Sequence, residues 1–294
     1  MALFIHLGAH KTATTHLARC VLAAENDLLQ AGVVFLDPAQ LRQPPLELRA
    51  LISDPGKSPE QQKLGQEILR GLMAEQRDLI LSEEQILGGL GASRFLGRDG
   101  RVYPQAGQRL GKLLDLLGTR DVTLLLGIRS PADFLTSTFG EQLRHGGPLQ
   151  IEEFLGDYDP RSLRWSELVE RLLAESGATR LVCWRYEDLR AVRDEVLTIM
   201  LGPDLARVVP DLPPTRVGLS GPGYRALLQQ ADGARVDGKL IGALLKAHPK
   251  QTGGDSLRLL SDEVHDICER NYAEDCARIA ALPGVRMLSP KAQG

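Results

Sequence analysis

The run VTLLLGI at residues 122–128 constrains the fold of this chain more than any other stretch. A strand whose successive residues are nearly all apolar has apolar side chains on both faces, and such strands lie in parallel sheets that helices cover on both sides. Shorter strand-like segments alternate along the chain with segments of helical periodicity. The sequence therefore predicts an α/β fold in which a central parallel β-sheet is flanked by helices.

The other elements are predicted from the same apolar periodicity. Further strands are predicted at 2–7, 33–36, 78–82 and 180–184. Helices are predicted from residue 14 to a stop at residue 32, and at 60–76, 104–118, 130–144, 162–176, 190–201 and 261–282. In the helix after the central strand, Ser130 is the expected N-cap, Pro131 suits the first helical position, and Asp133 completes a pair that resembles a capping box.

No repeat and no boundary interrupts this alternation, so residues 1–294 are predicted to form a single domain. Two segments, 38–63 and 205–255, lack a regular pattern and contain many prolines or glycines. We interpret both as insertions, the first as a loop or a set of short helices, because long irregular connections in compact domains are commonly functional.

Composition excludes several classes of function. The chain is 43% hydrophobic and has a formal net charge of −3, which provides no general attraction to nucleic acid or anionic lipid. No apolar run reaches the roughly 18 residues that a membrane helix needs, and no secretory signal pattern is visible, so we expect a cytoplasmic protein without an integral membrane segment. The four cysteines form no CxxC pair, and no metal site is predicted.

The segment IHLGAHKTATTHLA, residues 5–18, has the composition of an anion-binding loop between a strand and a helix. The first N–H groups of a helix have no partners within it and attract anions, while lysine and threonine add a mobile charge and hydroxyl donors. The candidate residues are Gly8, Lys11, Thr12, Ala13, Thr14 and Thr15. No glycine directly precedes the lysine, which argues against an ordinary nucleoside triphosphatase. A plain turn with an exposed lysine and a threonine cap is the alternative interpretation.

A second candidate segment, IRSPADFLTSTF, begins at the end of the central strand. It places Arg129 at the carboxyl edge of the sheet, where α/β sheets bind ligands, and Ser137 in the second turn of the following helix. An arginine fork and a serine hydroxyl in these positions can converge on one phosphate. The alternative is that Arg129 pairs with a carboxylate and that Ser137 faces solvent.

Together these segments resemble the sulfotransferases that use 3′-phosphoadenosine 5′-phosphosulfate, especially their bacterial branch. HLGAHKTATTHL is similar to their 5′-phosphosulfate loop, and IRSPADFLTSTF is similar to their 3′-phosphate segment. LILSEEQ resembles the strand and Ser-x-Glu segment that this family has between its two nucleotide segments. LVCWRYEDL resembles a later strand of the family that is followed by Tyr-Glu-Asp-Leu. Order and spacing agree over roughly residues 3–205 and more loosely to 282. Ala13 departs from the pattern, since the bacterial branch usually has glycine there.

The resemblance implies a P-loop nucleotide-kinase-like sulfotransferase fold and a sulfuryl transfer to an acceptor hydroxyl or amine, with adenosine 3′,5′-bisphosphate as the second product. It implies that Lys11 offsets charge on the bridging oxygen and that residues 12–15 and Gly8 hold the 5′-phosphate. Arg129 and Ser137 would hold the 3′-phosphate, and no metal is required.

A general base has to accept the proton of the acceptor. Glu84 fits the Ser-x-Glu pattern and is the preferred candidate, and Glu83 is a further one. His10 is the second choice, although packing or hydrogen bonding beside the nucleotide is the favoured interpretation of this residue. His6, inside the first strand, is interpreted as structural. Trp184 and Tyr186 could stack on adenine or line the acceptor site, although core packing is the favoured role of Trp184. Glu187 and Asp188 are interpreted as structural pairs or caps.

Two other functions stay open at this point. One is an ATP-dependent small-molecule P-loop kinase, and the other is a nucleotide-binding homologue without catalysis. The acceptor could be a small molecule, a carbohydrate or a lipid, and the protein could form oligomers. The irregular segments 38–63 and 205–255 are the expected walls of the acceptor site.

Overall fold

The computed structural model describes residues 2–53, 59–75, 77–89, 95–97, 100–214, 218–231, 238–250 and 256–291. Within these residues, six strands form one parallel sheet in the order β2-β3-β1-β4-β5-β6. The strands are β1 (Leu3–His6), β2 (Val33–Leu36), β3 (Asp78–Ser82), β4 (Thr123–Ile128), β5 (Arg180–Arg185) and β6 (Val285–Leu288). Helices lie on both faces of the sheet, so the predicted fold class is confirmed.

The helices, numbered in chain order, agree with most of the predicted ones. The segment predicted as one helix up to residue 32 is two, α1 (Thr14–Leu22) and α2 (Glu25–Gln30). The next twelve are α3 (Pro38–Arg42), α4 (Leu48–Ile52), α5 (Pro59–Ala74), α6 (Ala106–Leu117), α7 (Pro131–Leu143), α8 (Ile151–Leu155), α9 (Trp165–Ser176), α10 (Leu189–Leu201), α11 (Pro203–Val208), α12 (Gly221–Gln230), α13 (Gly238–Ala247) and α14 (Asp262–Ala280). None of the described helices is long and apolar enough to cross a bilayer.

β4 divides the core into two layers, as its continuous apolar sequence predicted. Leu124 and Leu126 belong to the larger apolar cluster on one face of the sheet, and Leu125 belongs to the smaller cluster on the other face. Buried side chains of α6 and α9 complete the larger cluster, whereas buried side chains of α1 and α10 complete the smaller one. The sheet is therefore covered on both sides, which fixes its carboxyl edge as the open place for ligands.

Of the two irregular segments, 205–255 contains more helix than the sequence indicated. Segment 38–63 holds α3, α4 and the start of α5, in agreement with a set of short helices, while residues 54–58 lie outside the described part. Segment 205–255 holds α12 and α13, and its residues 215–217, 232–237 and 251–255 lie outside the described part.

The start of α12 shows why it escaped prediction. Its first residues are Gly221, Pro222 and Gly223, which resemble a loop in sequence. The hydroxyl of Ser220 caps them by accepting the Gly223 N–H at 3.1 Å, and proline is tolerated in the first helical turn.

The start of α7 requires a correction. The helix begins at Pro131 as predicted, but the Ser130 side chain makes no capping hydrogen bond. Its hydroxyl donates to Glu269 Oε2 at 2.9 Å, and the Ser130 N–H donates to Glu187 Oε1 at 2.9 Å. Carboxylates from distant parts of the chain thus bind the Ser130 hydroxyl and N–H, and the predicted capping box with Asp133 is not formed.

Candidate functional site

The loop after β1 lies at the centre of the carboxyl edge of the sheet. Leu7 N donates to Leu125 O at 2.9 Å, and Ala9 N donates to Gly127 O at 2.9 Å, so the loop first continues the pairing of β1 with β4. After β1 the chain forms β2 and β3, which lie on one side of β1, and then β4, which lies on the other side of β1. This is the place at which open parallel sheets bind ligands.

The loop has a backbone conformation suited to an anion. Gly8, Lys11 and Ala13 have positive φ values of 47°, 66° and 64°. A left-handed residue within a turn directs neighbouring N–H groups toward one concave side, which forms an anion-binding nest. Ala13 is the N-cap of α1 and provides no side-chain cap, so the first amides of that helix have no capping partner.

The side chains of the loop leave space and one hydroxyl for a ligand. A Cβ atom on Gly8 would overlap the Thr14 hydroxyl, so this position requires glycine for space as well as for its positive φ. Thr14 Oγ1 is buried and has no hydrogen-bond partner. Thr12 Oγ1 donates to Ala9 O at 2.6 Å, so its proton holds the loop together. Thr15 is half-buried.

Arg129 connects the second predicted segment to this loop. Its Nη1 donates to Lys11 O at 3.1 Å, and its Cζ lies 4.6 Å from the centre of the Tyr186 ring. Trp165 Nε1 donates to the Arg129 carbonyl at 2.7 Å. The partners of the Arg129 guanidinium are thus a carbonyl and an aromatic ring, whereas the alternative interpretation expected a carboxylate. The buried Nε atom of Arg129 has no hydrogen-bond partner.

Lys11, Arg129 and Ser137 line one pocket. Ser137 is half-buried there, on the face of α7 that turns toward the loop. Thr136 also lines the pocket, and its buried hydroxyl has no hydrogen-bond partner. The remaining lining residues are Asp133, Gly140, Glu141, Arg144, Gly218, Leu219, Lys250, Ser256 and Leu257. The two predicted nucleotide segments thus meet in space.

The pocket also contains an ion pair that the sequence did not predict. Lys11 Nζ lies 3.1 Å from Glu141 Oε2, with 19% and 15% of the two side chains exposed. The other carboxylate oxygen lies 3.8 Å from His145 Nε2. Glu141 follows Ser137 by one helical turn, and this spacing was the available signal that both lie on the same face of α7.

Glu83 and Glu84 follow β3, and neither lines the pocket that contains Lys11. Arg42 donates to both oxygens of Glu83 at 2.7 Å, and its Nη2 lies 3.5 Å from Glu84 Oε1. The Gln85 N–H also donates to Glu83 at 2.7 Å, and 3% of the Glu83 side chain is exposed. Glu83 is therefore fully used in holding the turn after β3 and the helix α3.

His10 is buried in the loop beside Tyr103 and does not line the pocket. The Tyr103 hydroxyl oxygen accepts the His10 N–H at 3.1 Å and lies 2.8 Å from His10 Nδ1. That hydroxyl can donate to Nδ1, an arrangement that assigns the ring proton to Nε2. Burial lowers the pKa of His10 to about 3, so the ring is neutral near pH 7.

Other residues singled out in the sequence have structural surroundings. His6 Nδ1 lies 2.9 Å from Ser82 Oγ, and burial lowers its pKa to about 4. Trp184 stacks on His6 and is buried in the smaller cluster, as the core interpretation predicted. Glu187 accepts hydrogen bonds from Ser130 and Tyr272, and Asp188 pairs with Arg185 at 3.7 Å.

Away from the pocket, three potential metal ligands come together. In the described part of the chain, ligand atoms of His16, Cys20 and Asp211 all lie within 4.8 Å of one another. Asp211 also pairs with Arg193 at 3.8 Å. The guanidinium already supplies positive charge beside this group, which disfavours a cation there.

No protein-family model and no curated protein matches this chain. Two solved structures align with it. The crystal structure of a sulfotransferase from Alicyclobacillus acidocaldarius aligns with 84% of this chain and 96% of its own, at 17% identity and a TM-score of 0.42. The crystal structure of retinol dehydratase in complex with androsterone and the inactive cofactor PAP aligns with 97% of this chain and 82% of its own, at 14% identity and a TM-score of 0.36. At this level of similarity, the chemistry of the chain has to be inferred from its own residues.

Proposed function

We propose that this protein is a sulfotransferase that moves a sulfuryl group from 3′-phosphoadenosine 5′-phosphosulfate to an acceptor hydroxyl or amine. The observation that carries the proposal is that Lys11, Arg129 and Ser137 line the same pocket. A lysine in a strand-to-helix loop and an arginine at a neighbouring strand end suit a nucleotide with phosphate groups at both its 5′ and 3′ positions.

The loop fits the 5′ end of this donor. The positive φ values of Gly8, Lys11 and Ala13 and the partnerless hydroxyl of Thr14 match the needs of a bound anion. In the proposal, residues 12–15 and Gly8 hold the 5′-phosphate. Lys11 supplies a positive charge near the oxygen that bridges phosphorus and sulfur.

Arg129 and Ser137 fit the 3′ end of the donor. The guanidinium is held by Lys11 O and by the Tyr186 ring, while its buried Nε keeps a hydrogen-bond donor without a partner. A guanidinium donor in a pocket that also contains a half-buried serine is suited to a phosphate oxygen. A 3′-phosphate distinguishes this nucleotide from ATP, which has none.

When bound, the donor would supply a sulfuryl group already activated for transfer. The residues of the chain would then contribute positioning and charge stabilisation. We keep Glu84 as the proposed general base and His10 as the second candidate. The walls of the acceptor site are assigned to segments 38–63 and 205–255, in part because Leu219 and Lys250 line the pocket.

A nucleotide-binding homologue without catalysis is the second candidate function. The observation that favours it is that neither Glu84 nor His10 lines the pocket with Lys11. It differs from the first proposal in that nucleotide binding is retained while no acceptor is sulfated.

Thermal unfolding in the presence of nucleotides tests the proposal. Adenosine 3′,5′-bisphosphate at about 100 times its dissociation constant stabilises a binding protein by about 2.7 kcal/mol. We expect this shift with the bisphosphate and none with ATP and Mg²⁺. Stabilisation by ATP alone would instead indicate a small-molecule kinase.

Matched variants locate the binding. Lys11→Ala and Arg129→Ala should each weaken bisphosphate binding, while Lys112→Ala, which removes an exposed lysine side chain on α6, serves as the control. If both pocket variants bound the bisphosphate as the control does, the assignment of the site would be wrong.

A further inference from the structure

The ion pair between Lys11 and Glu141 places a carboxylate beside the lysine that the proposed function assigns to the transferable end of the donor. We propose that Glu141 determines the specificity of the site for a terminal sulfuryl group over a terminal phosphoryl group. The inference rests on the proposed function, since it concerns the same donor. It assigns a role in selection to a side chain for which the sequence patterns predicted none.

The geometry brings the two anions close together. A lysine ammonium has three hydrogen-bond donors, so Lys11 can keep Glu141 and bind an oxygen of the donor at the same time. Two oxygens that share one ammonium lie within about 6 Å of each other, because each N···O distance is about 3 Å. Any terminal group bound to Lys11 is therefore a close neighbour of the Glu141 carboxylate.

Repulsion at this distance depends on the charge of the terminal group. A terminal sulfuryl group carries one negative charge, whereas a terminal phosphate carries nearly two at neutral pH, because its second pKa is about 6. Because most of both side chains is buried, water screens the extra repulsion only in part. Glu141 thus opposes binding of the phosphoryl group more strongly than binding of the sulfuryl group.

The other charged residues that line the pocket bear on both nucleotides. Arg129 is assigned to the 3′-phosphate, which is identical in the two ligands. Asp133, Arg144 and Lys250 line the same pocket and contribute to its overall field. Asp133 provides a matched control, because it is an acid of the same pocket for which the structure shows no ion pair with Lys11.

Equilibrium binding of two nucleotides tests the inference without any acceptor. The probes are 3′-phosphoadenosine 5′-phosphosulfate and 3′-phosphoadenosine 5′-diphosphate, which differ in the terminal sulfur or phosphorus and in one charge. Dissociation constants are measured at pH 7.5 for the unmodified protein and for Glu141→Gln, Glu141→Ala and Asp133→Asn. Circular dichroism and melting temperature establish that each variant is folded.

We expect the unmodified protein to bind the phosphosulfate more tightly than the diphosphate. In both Glu141 variants, the dissociation constant of the diphosphate divided by that of the phosphosulfate should fall about ten-fold, mainly because the diphosphate binds more tightly. This is the size expected for one charge pair at this distance in a partly screened site. Asp133→Asn should change the ratio less than three-fold, an approximate limit for a charge that does not contact Lys11.

An unchanged ratio in folded Glu141→Gln and Glu141→Ala would overturn the inference and leave the proposed function intact. An equal effect of Asp133→Asn would also overturn it, since selection would then follow the total charge of the pocket. If the unmodified protein bound neither nucleotide, the proposed function itself would fail, and the role of Glu141 would fail with it.

Discussion

Arg129 donates a hydrogen bond from Nη1 to the main-chain oxygen of Lys11 at 3.1 Å. The residues are 118 positions apart in the chain, and this contact fixes the loop after β1 against the end of β4. The guanidinium also stacks over the Tyr186 ring, so its plane is held from a third segment. The same side chain therefore joins the loop to the strand end and lines the pocket.

The first prediction concerns this bridging arginine. Arg129→Lys keeps the charge but loses the planar fork that contacts a carbonyl and an aromatic ring and that, in the proposed function, also binds the 3′-phosphate. We expect adenosine 3′,5′-bisphosphate to bind about ten-fold or more weakly, as measured by calorimetric titration. Arg278→Lys, on an arginine side chain that is 62% exposed, is the control. Equal affinity of the two variants would show that only the charge of Arg129 matters.

The second prediction concerns the alanine at the start of α1. Ala13 has a φ of 64°, and a non-glycine residue in this left-handed region costs about 1 kcal/mol or more. Ala13→Gly should therefore raise the free energy of unfolding by about 0.5–1 kcal/mol in urea, after the greater flexibility of unfolded glycine is subtracted.

The control for this variant lies in the interior of another helix. Ala273 is exposed within α14, so Ala273→Gly should destabilise the protein by about 0.5–1 kcal/mol. The two substitutions are chemically identical and have opposite expected signs. Destabilisation by Ala13→Gly would contradict the strain assigned to this loop.

The sequence predicted those parts of the fold that depend on local pattern. β4 was predictable because VTLLLGI is apolar on both faces, and the loop after β1 was predictable because of its small residues, lysine and threonines. β6 was missed because VRML is short and half-exposed and, among the described strands, lies at the edge of the sheet beside β5. A strand at the edge of a sheet needs few apolar residues, and a short polar strand has no clear apolar pattern by which it could be predicted.

The site was predictable to the level of its segments but not of its contacts. Arg129 and Ser137 were singled out because their segment begins at a strand end. The contact between Lys11 and Glu141 depends on how α7 docks against a distant loop, and the φ of Ala13 depends on the path of that loop between two strands. Neither follows from local composition, because tertiary packing decides both.

The third prediction concerns the buried histidine of the loop. Burial lowers the pKa of His10 from 6.5 to about 3, so the unfolded chain binds this proton more readily than the folded chain. Its contribution to stability is therefore fully present above pH 6.5 and is lost as the pH falls from 6.5 toward 3. We expect His10→Asn to reduce the pH dependence of the unfolding free energy between pH 6.5 and 4.

A spectroscopic measurement checks the same residue directly. The ring resonances of His10 should show no titration between pH 5 and 8, because burial keeps the folded pKa of this residue well below that range. A midpoint for His10 near 6.5 would contradict its burial beside Tyr103 and would strengthen its case as a general base.

The last prediction concerns the arginine that holds the turn after β3. Arg42 binds both oxygens of Glu83, whose side chain is 3% exposed, so Arg42→Ala leaves a buried carboxylate without its partner. We expect the free energy of unfolding to fall by about 2–3 kcal/mol, less than for a fully buried pair because the arginine is partly exposed. Adding Glu83→Gln should recover part of the loss, since a neutral amide costs less to bury than a charge.

An exposed pair provides the comparison. Arg180 and Asp121 are paired at the surface with side chains 54% and 79% exposed, and Arg180→Ala should change the unfolding free energy by about 0.5 kcal/mol or less. Urea denaturation of the three variants separates the two cases. If Arg42→Ala cost no more than Arg180→Ala, Glu83 would be hydrated in solution and available for chemistry, and the structural role assigned to it would be wrong.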